Sequence, residues 1–109
     1  MTVTIEVKAR EGKLQELDQA LQALLPTMRD EKGCRGCRVS RDVEDGEVFM
    51  FSSDWESKGS FEGYIHSDNG RVLLGAVKLL GESARFRMNS DARWKEFGAV
   101  TFKGPEIGA

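Results

Sequence analysis

Three side chains of this sequence could carry out chemistry on a small molecule: Trp55, Tyr64 and His66. His66 is the only histidine, and because imidazole titrates near neutral pH, it is the first candidate for a general base. A lone histidine without a predicted partner is more often a surface residue at a helix end. Trp55 could stack on an aromatic substrate or fill the core. Tyr64 and His66 are two positions apart, roughly 200° around a helix, so both face one pocket only if the helix ends between them.

Four more residues are candidates for lining a substrate site: Phe49, Phe51, Arg71 and Phe86. The three phenylalanines are core residues first and pocket-lining residues second. The guanidinium of Arg71 could steady a phenolate anion, or it could be a solvated charge. This set of side chains suits an aromatic ligand.

The two cysteines, Cys34 and Cys37, form a C-x-x-C sequence. This spacing could mark a redox pair or half of a zinc site, but zinc would need two more ligands, and only His66 and carboxylates remain. Side chains three positions apart on a strand point to opposite faces, whereas a redox pair begins at a helix N-terminus. We therefore interpret both residues as structural thiols, and the sequence predicts no metal site and no cofactor.

Length and composition predict one soluble domain. A chain of 109 residues with 39% hydrophobic and 31% charged residues has room for a single core and is too apolar for disorder. Its formal net charge of -2 lacks the excess of positive charge that nucleic-acid binding uses. No apolar run approaches the roughly 18 residues of a membrane span. No signal peptide is visible, so the sequence predicts a cytoplasmic protein without nucleic-acid or membrane partners.

The first two elements follow from side-chain periodicity. Residues 2–9 alternate apolar and polar side chains, which predicts a half-buried strand. Leucines at three- and four-residue spacing then predict a helix from about Gly12 to about Asp30. Because Pro26 lacks an amide donor, we expect a bend or an early fray near Leu25.

A hairpin follows the first helix. A strand with a weaker pattern, around Cys37 and Val39, is joined by the turn dipeptide Asp45-Gly46 to a strand over residues 47–55. Residues 48–51 are all apolar. We therefore expect this third strand to be the most buried, with apolar side chains on both faces.

Two helices and a strand complete the pattern. Ser57 can cap the first helix, and Ser67 or Asp68 can cap the second, which Gly81 closes. Their predicted apolar side chains are Phe61, Tyr64 and Ile65 in the first helix, and Val72, Leu73, Ala76, Val77 and Leu80 in the second. Alternation over residues 84–89 predicts a fourth strand.

This element order is the split βαβ pattern of the ferredoxin-like fold. We predict an α+β domain over residues 1–91, with a four-stranded antiparallel sheet and the helices on one face. Residues 92–109 form a tail that packs on the domain or on a partner protomer, since Trp94 and Phe97 could clasp the neighbour or cover a sheet edge. A sheet with apolar residues on its other face needs a second layer, which favours a homodimer through the sheet faces.

Several stretches of the chain resemble the antibiotic biosynthesis monooxygenase (ABM) domain of the dimeric α+β barrel superfamily. The resemblance covers about residues 3–89 and is carried by Arg10-Glu11-Gly12-Lys13, Lys32-Gly33-Cys34-Arg35-Gly36-Cys37, Ser40-Arg41-Asp42, Phe51-Ser52-Ser53-Asp54-Trp55-Glu56-Ser57, Phe61-Glu62-Gly63-Tyr64-Ile65-His66-Ser67-Asp68 and Leu73-Leu74-Gly75-Ala76. It implies a pocket between sheet and helices in each protomer and a dimer formed by the opposite sheet faces. Trp55 matches the family's Trp at the end of the third strand, and Tyr64 stands where the family often has His.

The resemblance implies a cofactor-independent monooxygenase. Family members of known activity oxidise phenolic, quinol or anthrone-like rings with molecular oxygen and neither metal nor flavin. We expect a small aromatic or quinol substrate in a dry apolar pocket, with Trp55 orienting it and Tyr64 or His66 as base or hydrogen-bond donor. One alternative is a non-oxidative isomerase or degradative enzyme of a small metabolite, which would need a cationic pocket containing Arg71 or Lys78. The other is a small-molecule-binding module without chemistry.

Overall fold

The computed structural model of the chain describes residues 1–89 and 93–96. They form, in order, β1 (Thr2–Ala9), α1 (Leu14–Arg29), β2 (Cys34–Arg41), β3 (Val48–Trp55), α2 (Lys58–Ile65), α3 (Asp68–Leu80), β4 (Gly81–Met88) and β5 (Lys95–Glu96). The strands form one sheet in the order β2-β3-β1-β4-β5, and all neighbouring pairs are antiparallel. The predicted ferredoxin-like α+β fold is confirmed. The sheet has one strand more than the predicted four, because the two-residue β5 pairs with β4.

β1 lies between β3 and β4 and shows the predicted alternation. Val3, Ile5 and Val7 are at most 4% exposed, and the polar residues between them are half-buried. Since successive side chains of a strand point to opposite faces, the apolar set faces the helices. The polar set belongs to what we call the open face of the sheet, the side away from the helices, which is formed by residues such as Thr4, Glu6, Lys8, Met50, Arg85 and Arg87.

The prediction that β3 carries apolar side chains on both faces is confirmed, but the prediction that it is the most buried strand is wrong. Phe49, Phe51 and Trp55 are buried against the helices, but Val48 and Met50, on the open face, are only half-buried. Burial in β3 therefore alternates as it does in β1. The reason is that the helices supply a covering layer for one face only, and an apolar run along a strand cannot bury its second face without another layer.

α1 continues through Pro26 to Arg29, so the predicted early fray near Leu25 is wrong. Proline costs a helix one amide donor, and here the missing donor falls in the last turn, where Pro26 itself is exposed. Leu24 and Met28, on either side, are at most 6% exposed. Burial of these two side chains holds the last turn on the sheet.

Two serines set the starts of the second and third helices. The Ser57 hydroxyl accepts a hydrogen bond from the amide of Ser60 at 3.1 Å, and the Ser67 hydroxyl accepts one from the amide of Gly70 at 3.1 Å. Ser57 and Ser67 were both among the predicted N-cap residues.

The corner between α2 and α3 is tight, because a Cβ on Gly70 would lie 2.8 Å from the Cα of Ile65. Only glycine lets α3 start this close to the end of α2.

The predicted apolar stripe of α3 needs one correction. Its buried positions are Gly70, Leu73 and Val77, whereas Val72 is 59% exposed. Val72 is one residue from Leu73, about 100° around the helix, and this rotation carries it off the buried side. Gly81 ends α3, as predicted, and is also the first residue of β4.

The core lies between the sheet and the helices. Its largest fully buried side chains are Trp55, Phe49, Phe51, Leu17, Leu21, Met28 and Leu73. They come from β3, α1 and α3, so one continuous apolar layer joins both crossover connections to the sheet.

Candidate ligand site

Trp55, the last residue of β3, is 1% exposed. Its indole N–H donates a hydrogen bond of 2.9 Å to the hydroxyl of Ser53. Both side chains face the helices, because they are two positions apart on one strand. A buried indole needs an acceptor for its N–H, and Ser53 supplies it from within the core.

Tyr64 lies against Trp55. It belongs to the last turn of α2 and is 2% exposed, and its ring centroid is 5.3 Å from that of Trp55 at an interplanar angle of 34°. Phe61, one helical turn earlier, contacts Trp55 edge-on, with centroids 5.8 Å apart. Residues three apart share one helix face. We call Trp55, Phe61 and Tyr64 the aromatic cluster.

The hydroxyl of Tyr64 is held in its protonated form. Burial, with smaller contributions from the charges of Glu31, Cys37 and Cys34, raises the pKa of Tyr64 well above its ordinary value of 10.0. The hydroxyl donates a long hydrogen bond of 3.5 Å to the backbone carbonyl of Asn69. A phenol in this state can donate a hydrogen bond at neutral pH and cannot act as a base.

His66, the third candidate for catalysis, lies apart from the aromatic cluster. It is the C-cap residue of α2 and is exposed, and its backbone amide bonds the carbonyl of Glu62 at 3.2 Å. α2 thus ends between Tyr64 and His66, but the imidazole is at the surface while the phenol is in the core. The structure brings Trp55 and Tyr64 together and leaves His66 outside.

The four candidates for substrate binding likewise divide into buried and exposed residues. Phe49, Phe51 and Phe86 are at most 8% exposed and face the helices. The guanidinium carbon of Arg41 lies 5.0 Å from the ring centroid of Phe49, a cation–π contact. Arg71, on α3, is exposed, so it does not belong to this apolar layer.

Two polar residues near Tyr64 have no signal in the sequence. Glu31 lies in the loop between α1 and β2, and its carboxylate accepts a hydrogen bond of 3.1 Å from the side-chain amide of Asn69. These residues are 38 positions apart, and neither belongs to a spacing pattern. Only the fold brings a carboxylate, an amide and a buried phenol to the same end of the aromatic cluster.

The prediction that Cys34 and Cys37 point to opposite faces is wrong. Cys34 pairs with Trp55 and Cys37 pairs with Ser53, with a register shift between Cys34 and Gly36. A β-bulge inserts one extra residue into a strand. Because Trp55 and Ser53 face the helices, both cysteines do so as well, and their thiols lie at the Tyr64 end of the aromatic cluster, where they affect the pKa of Tyr64.

The matched portion of the chain decides its family. The model of the antibiotic biosynthesis monooxygenase family matches residues 1–71, which include the whole aromatic cluster. The chain belongs to the ABM family. Membership supports a role in small-molecule oxidation or binding and leaves the substrate class open.

Solved structures share the fold of this ABM protein. PA3566 from Pseudomonas aeruginosa is 20% identical, with a TM-score of 0.72 over 79% of this chain and 87% of that chain. Rv0793 from Mycobacterium tuberculosis is 17% identical, with a TM-score of 0.71 over 83% and 94%. A crystal structure described as an antibiotic biosynthesis monooxygenase is 13% identical, with a TM-score of 0.73 over 82% and 96%. No curated protein sequence matches the chain.

The open face of the ABM sheet carries mostly polar side chains and is partly covered by the chain itself. The guanidinium carbons of Arg85 and Arg87 lie 4.3 and 4.7 Å from the ring centroid of Trp94, and the Arg85 Nε donates to a carboxylate oxygen of Glu6 at 2.8 Å. Trp94 precedes β5, which covers the edge of β4. Phe97, predicted to pack with Trp94, lies outside the described residues.

A cleft of about 180 Å³ lies beside this contact and is lined by Glu6, Lys8, Ser83, Ala84, Arg85 and Glu96. Charged groups of both signs line it, unlike the mostly apolar lining of small-molecule sites. We therefore do not assign it to an aromatic ligand. It lies on the side of the sheet that the ABM resemblance assigns to the dimer.

No helix within residues 1–89 and 93–96 is long and apolar enough to cross a membrane. No group of three or more His, Cys, Asp or Glu side chains there could hold a metal ion.

Proposed function

We propose that this ABM protein is a cofactor-independent monooxygenase of a quinol, phenolic or anthrone-like small molecule. The observation that carries the proposal is the contact between Trp55 and Tyr64, 5.3 Å between ring centroids, with the phenol held protonated inside the apolar layer. An aromatic ligand entering between β3 and α2 would meet a ring to stack on and a hydrogen-bond donor for its oxygen.

The chemistry requires a substrate anion. A deprotonated quinol or anthrone can transfer an electron to molecular oxygen without a cofactor. For an anthrone, one oxygen atom enters the ring as a carbonyl, and the other leaves as water with the two hydrogens of the oxidised carbon. The protein would exclude water and stabilise the anion through the Tyr64 hydroxyl, since a donor aimed at developing charge is worth most in a dry site.

The substrate proton needs an acceptor. Tyr64 is excluded from this role by its raised pKa. Glu31 is the carboxylate placed beside Tyr64, where it is held by Asn69 at 3.1 Å. His66, the acceptor that the sequence favours, is exposed at the end of α2. We propose Glu31 as the acceptor and keep His66 as the competing candidate that the experiment must separate.

The site is proposed to work within a homodimer formed by the open faces of two sheets. Half-buried apolar side chains there, Val48 and Met50, are flanked by the ion pair of Glu6 and Arg85. A second copy would bury this mixed surface. Dimerisation leaves the aromatic cluster, on the other side of the sheet, under the helices.

The test is oxygen uptake by purified protein, dialysed against chelator and free of flavin, with a panel of hydroquinones and anthrones. We expect uptake above the protein-free rate, a decrease of about tenfold or more in Tyr64→Phe, which removes the donor, and a similar decrease in Glu31→Gln. Lys58→Ala, at an exposed position of α2, is the control and should keep the wild-type rate. Loss of uptake in His66→Ala but not in Glu31→Gln would assign the proton to His66.

A binding module without chemistry is the second candidate, and the exposure of His66 favours it. Its signature would be saturable binding of the same ligands without oxygen uptake. The isomerase alternative has no such support, because Arg71 and Lys78 are both exposed on α3. Absence of both uptake and binding across the panel would overturn the proposed function.

A further inference from the structure

The proposed oxygenase chemistry does not use the Cys34–Cys37 pair. Both residues are free thiols and both are half-buried. β2, which carries them, is an edge strand of the sheet. Because neither side chain is fully buried, both thiols are partly accessible to small reagents.

The bulge brings the two thiols together. Without it, residues three positions apart would point to opposite faces of β2; with it, Cys34 and Cys37 point the same way, opposite Trp55 and Ser53. They are close enough for Cys34 to contribute to raising the pKa of Cys37. A disulfide needs side chains that converge from Cα atoms about 4.4 to 6.8 Å apart, and the bulge meets the first condition by placing both cysteines on one face of β2.

In the reduced form, each thiol makes one weak hydrogen bond to a backbone carbonyl. The Cys34 thiol donates to the carbonyl of Gly36 at 3.6 Å, and the Cys37 thiol donates to the carbonyl of Leu25 at 3.7 Å. A thiol is a weak donor, so these bonds oppose oxidation only slightly. The Arg29 guanidinium, which donates to the carbonyl of Cys37 at 3.2 Å, adds a cation that favours a thiolate here.

We propose that Cys34 and Cys37 form a reversible dithiol–disulfide site that reacts with small-molecule disulfides of the glutathione class. The thiolate of Cys34 attacks one sulfur of the small disulfide, whose S–S bond breaks and releases one small thiolate. The thiolate of Cys37 then attacks the Cys34 sulfur of this mixed disulfide and releases the second small thiolate. Two electrons pass from the cysteines to the small disulfide, two thiol protons are released, and an excess of a small thiol reverses both steps.

The order of the two attacks follows from the surroundings of Cys37. Burial, and after it the neighbouring Cys34, raises the pKa of the Cys37 thiol against the opposing effect of Arg29. A thiol that ionises less readily is the slower first nucleophile. Cys37 is therefore the resolving residue, and its attack is helped because the mixed disulfide holds the target sulfur beside it.

The position of the pair beside Trp55 supplies a readout. Cys34 is the cross-strand partner of Trp55, and a disulfide next to an excited indole accepts an electron and quenches its emission. The chain has two tryptophans, so Trp94→Phe leaves Trp55 as the only reporter. Oxidation should therefore quench Trp55 emission, and an excess of dithiothreitol should restore it.

The test uses the full chain with oxidised glutathione, followed by thiol alkylation and intact mass. We expect the wild type to lose two hydrogens per chain, to retain no glutathione and to lose both alkylation sites together. Cys37→Ser, which lacks the resolving thiol, should retain one glutathione, and Cys34→Ser should react more slowly than Cys37→Ser. A circular dichroism spectrum matching that of the wild type establishes that each variant is folded.

Three outcomes overturn the proposal. They are an unreactive wild type, a wild type that accumulates a stable glutathione adduct, and a disulfide that joins two chains in place of one. None of them depends on oxygen uptake, so failure of this proposal is distinguishable from failure of the proposed function.

Discussion

The indole of Trp55 and the phenol of Tyr64 lie with their ring centroids 5.3 Å apart, at an angle of 34°. The contact joins the end of β3 to the last turn of α2, two elements that are consecutive along the chain. It places the hydroxyl of Tyr64 at the side of the core where Glu31, Asn69 and the two thiols meet. The aromatic cluster is therefore both part of the core and the proposed ligand site.

The hydrogen bond from Trp55 to Ser53 should stabilise the fold measurably. Ser53→Ala removes the acceptor of a buried indole N–H and should lower the free energy of unfolding by about 1 to 3 kcal/mol. The matched control is Ser52→Ala, at the neighbouring position on the open face, which should change it by less than about 0.5 kcal/mol. Urea unfolding of both variants measures the difference, and equal values would contradict this role of Ser53.

Gly70 and Gly75 make a second matched pair, within α3. Gly70→Ala places a Cβ against the carbonyl oxygen of Tyr64 and 2.8 Å from the Cα of Ile65, so we expect a loss of about 3 kcal/mol or more in the free energy of unfolding. A Cβ at Gly75 meets nothing within 4 Å, and Gly75→Ala should stabilise the helix by up to about 1 kcal/mol. Thermal unfolding tests both signs, and a neutral Gly70→Ala would show that the corner can open.

Stability should fall at high pH because of Tyr64. The folded chain keeps the phenol proton to a higher pH than the unfolded chain, whose tyrosine titrates near the ordinary pKa of 10.0. Above that pH the unfolded state binds fewer protons, so the free energy of unfolding decreases, by up to about 1.4 kcal/mol per pH unit for one group. This contribution is fully present below pH 10 and is lost as the pH rises toward the folded-state pKa.

Urea unfolding at increasing pH measures this decrease, and Tyr64→Phe should lack it. Because Tyr64 is the only tyrosine, the ultraviolet absorbance of tyrosinate reports its ionisation directly. Parallel pH curves for wild type and Tyr64→Phe, with tyrosinate forming near its ordinary pKa in the folded chain, would contradict the burial of this hydroxyl.

The proposed dimer makes a prediction about the open face. Met50 lies on that face, opposite Glu6 on β1, so Met50→Asp would add a second negative charge to the surface that two copies must bury. We expect sedimentation to show a dimer for the wild type and a monomer for Met50→Asp. Val72→Asp, at a 59% exposed position of α3, is the control and should remain dimeric. A wild type that sediments as a monomer would contradict the proposal.

The sequence predicted the fold where one periodicity dominates a segment. Alternation in β1 and the leucine spacing of α1 are signals that span a whole element, and they contributed to the correct prediction of a ferredoxin-like α+β fold. β3 was misjudged because an apolar run along a strand does not reveal whether one face or both are covered. Val72 was misjudged because it adjoins Leu73. Two adjacent apolar residues on a helix point about 100° apart, and the sequence alone does not show which of them faces the core.

The candidate site was only partly predictable, for a physical reason. Trp55 and Tyr64 have side chains whose size and chemistry draw attention in the sequence, and the fold brings them into contact. The convergence of Cys34 and Cys37 depends on a bulge, which is set by pairing with β3 and leaves no pattern in the sequence of β2. Glu31 and Asn69 meet through the packing of distant elements, which local periodicity does not encode.

The location of the ligand is tested most directly by an anaerobic titration of Trp94→Phe with a hydroquinone or an anthrone, followed by Trp55 fluorescence corrected for ligand absorbance. We expect a saturable change in Trp55 emission, with affinity decreased about tenfold by the additional substitution Tyr64→Phe, as the loss of one hydrogen bond to the ligand implies. Binding that calorimetry detects without any change in Trp55 emission, or no binding at all, would contradict a ligand site at the Trp55–Tyr64 contact.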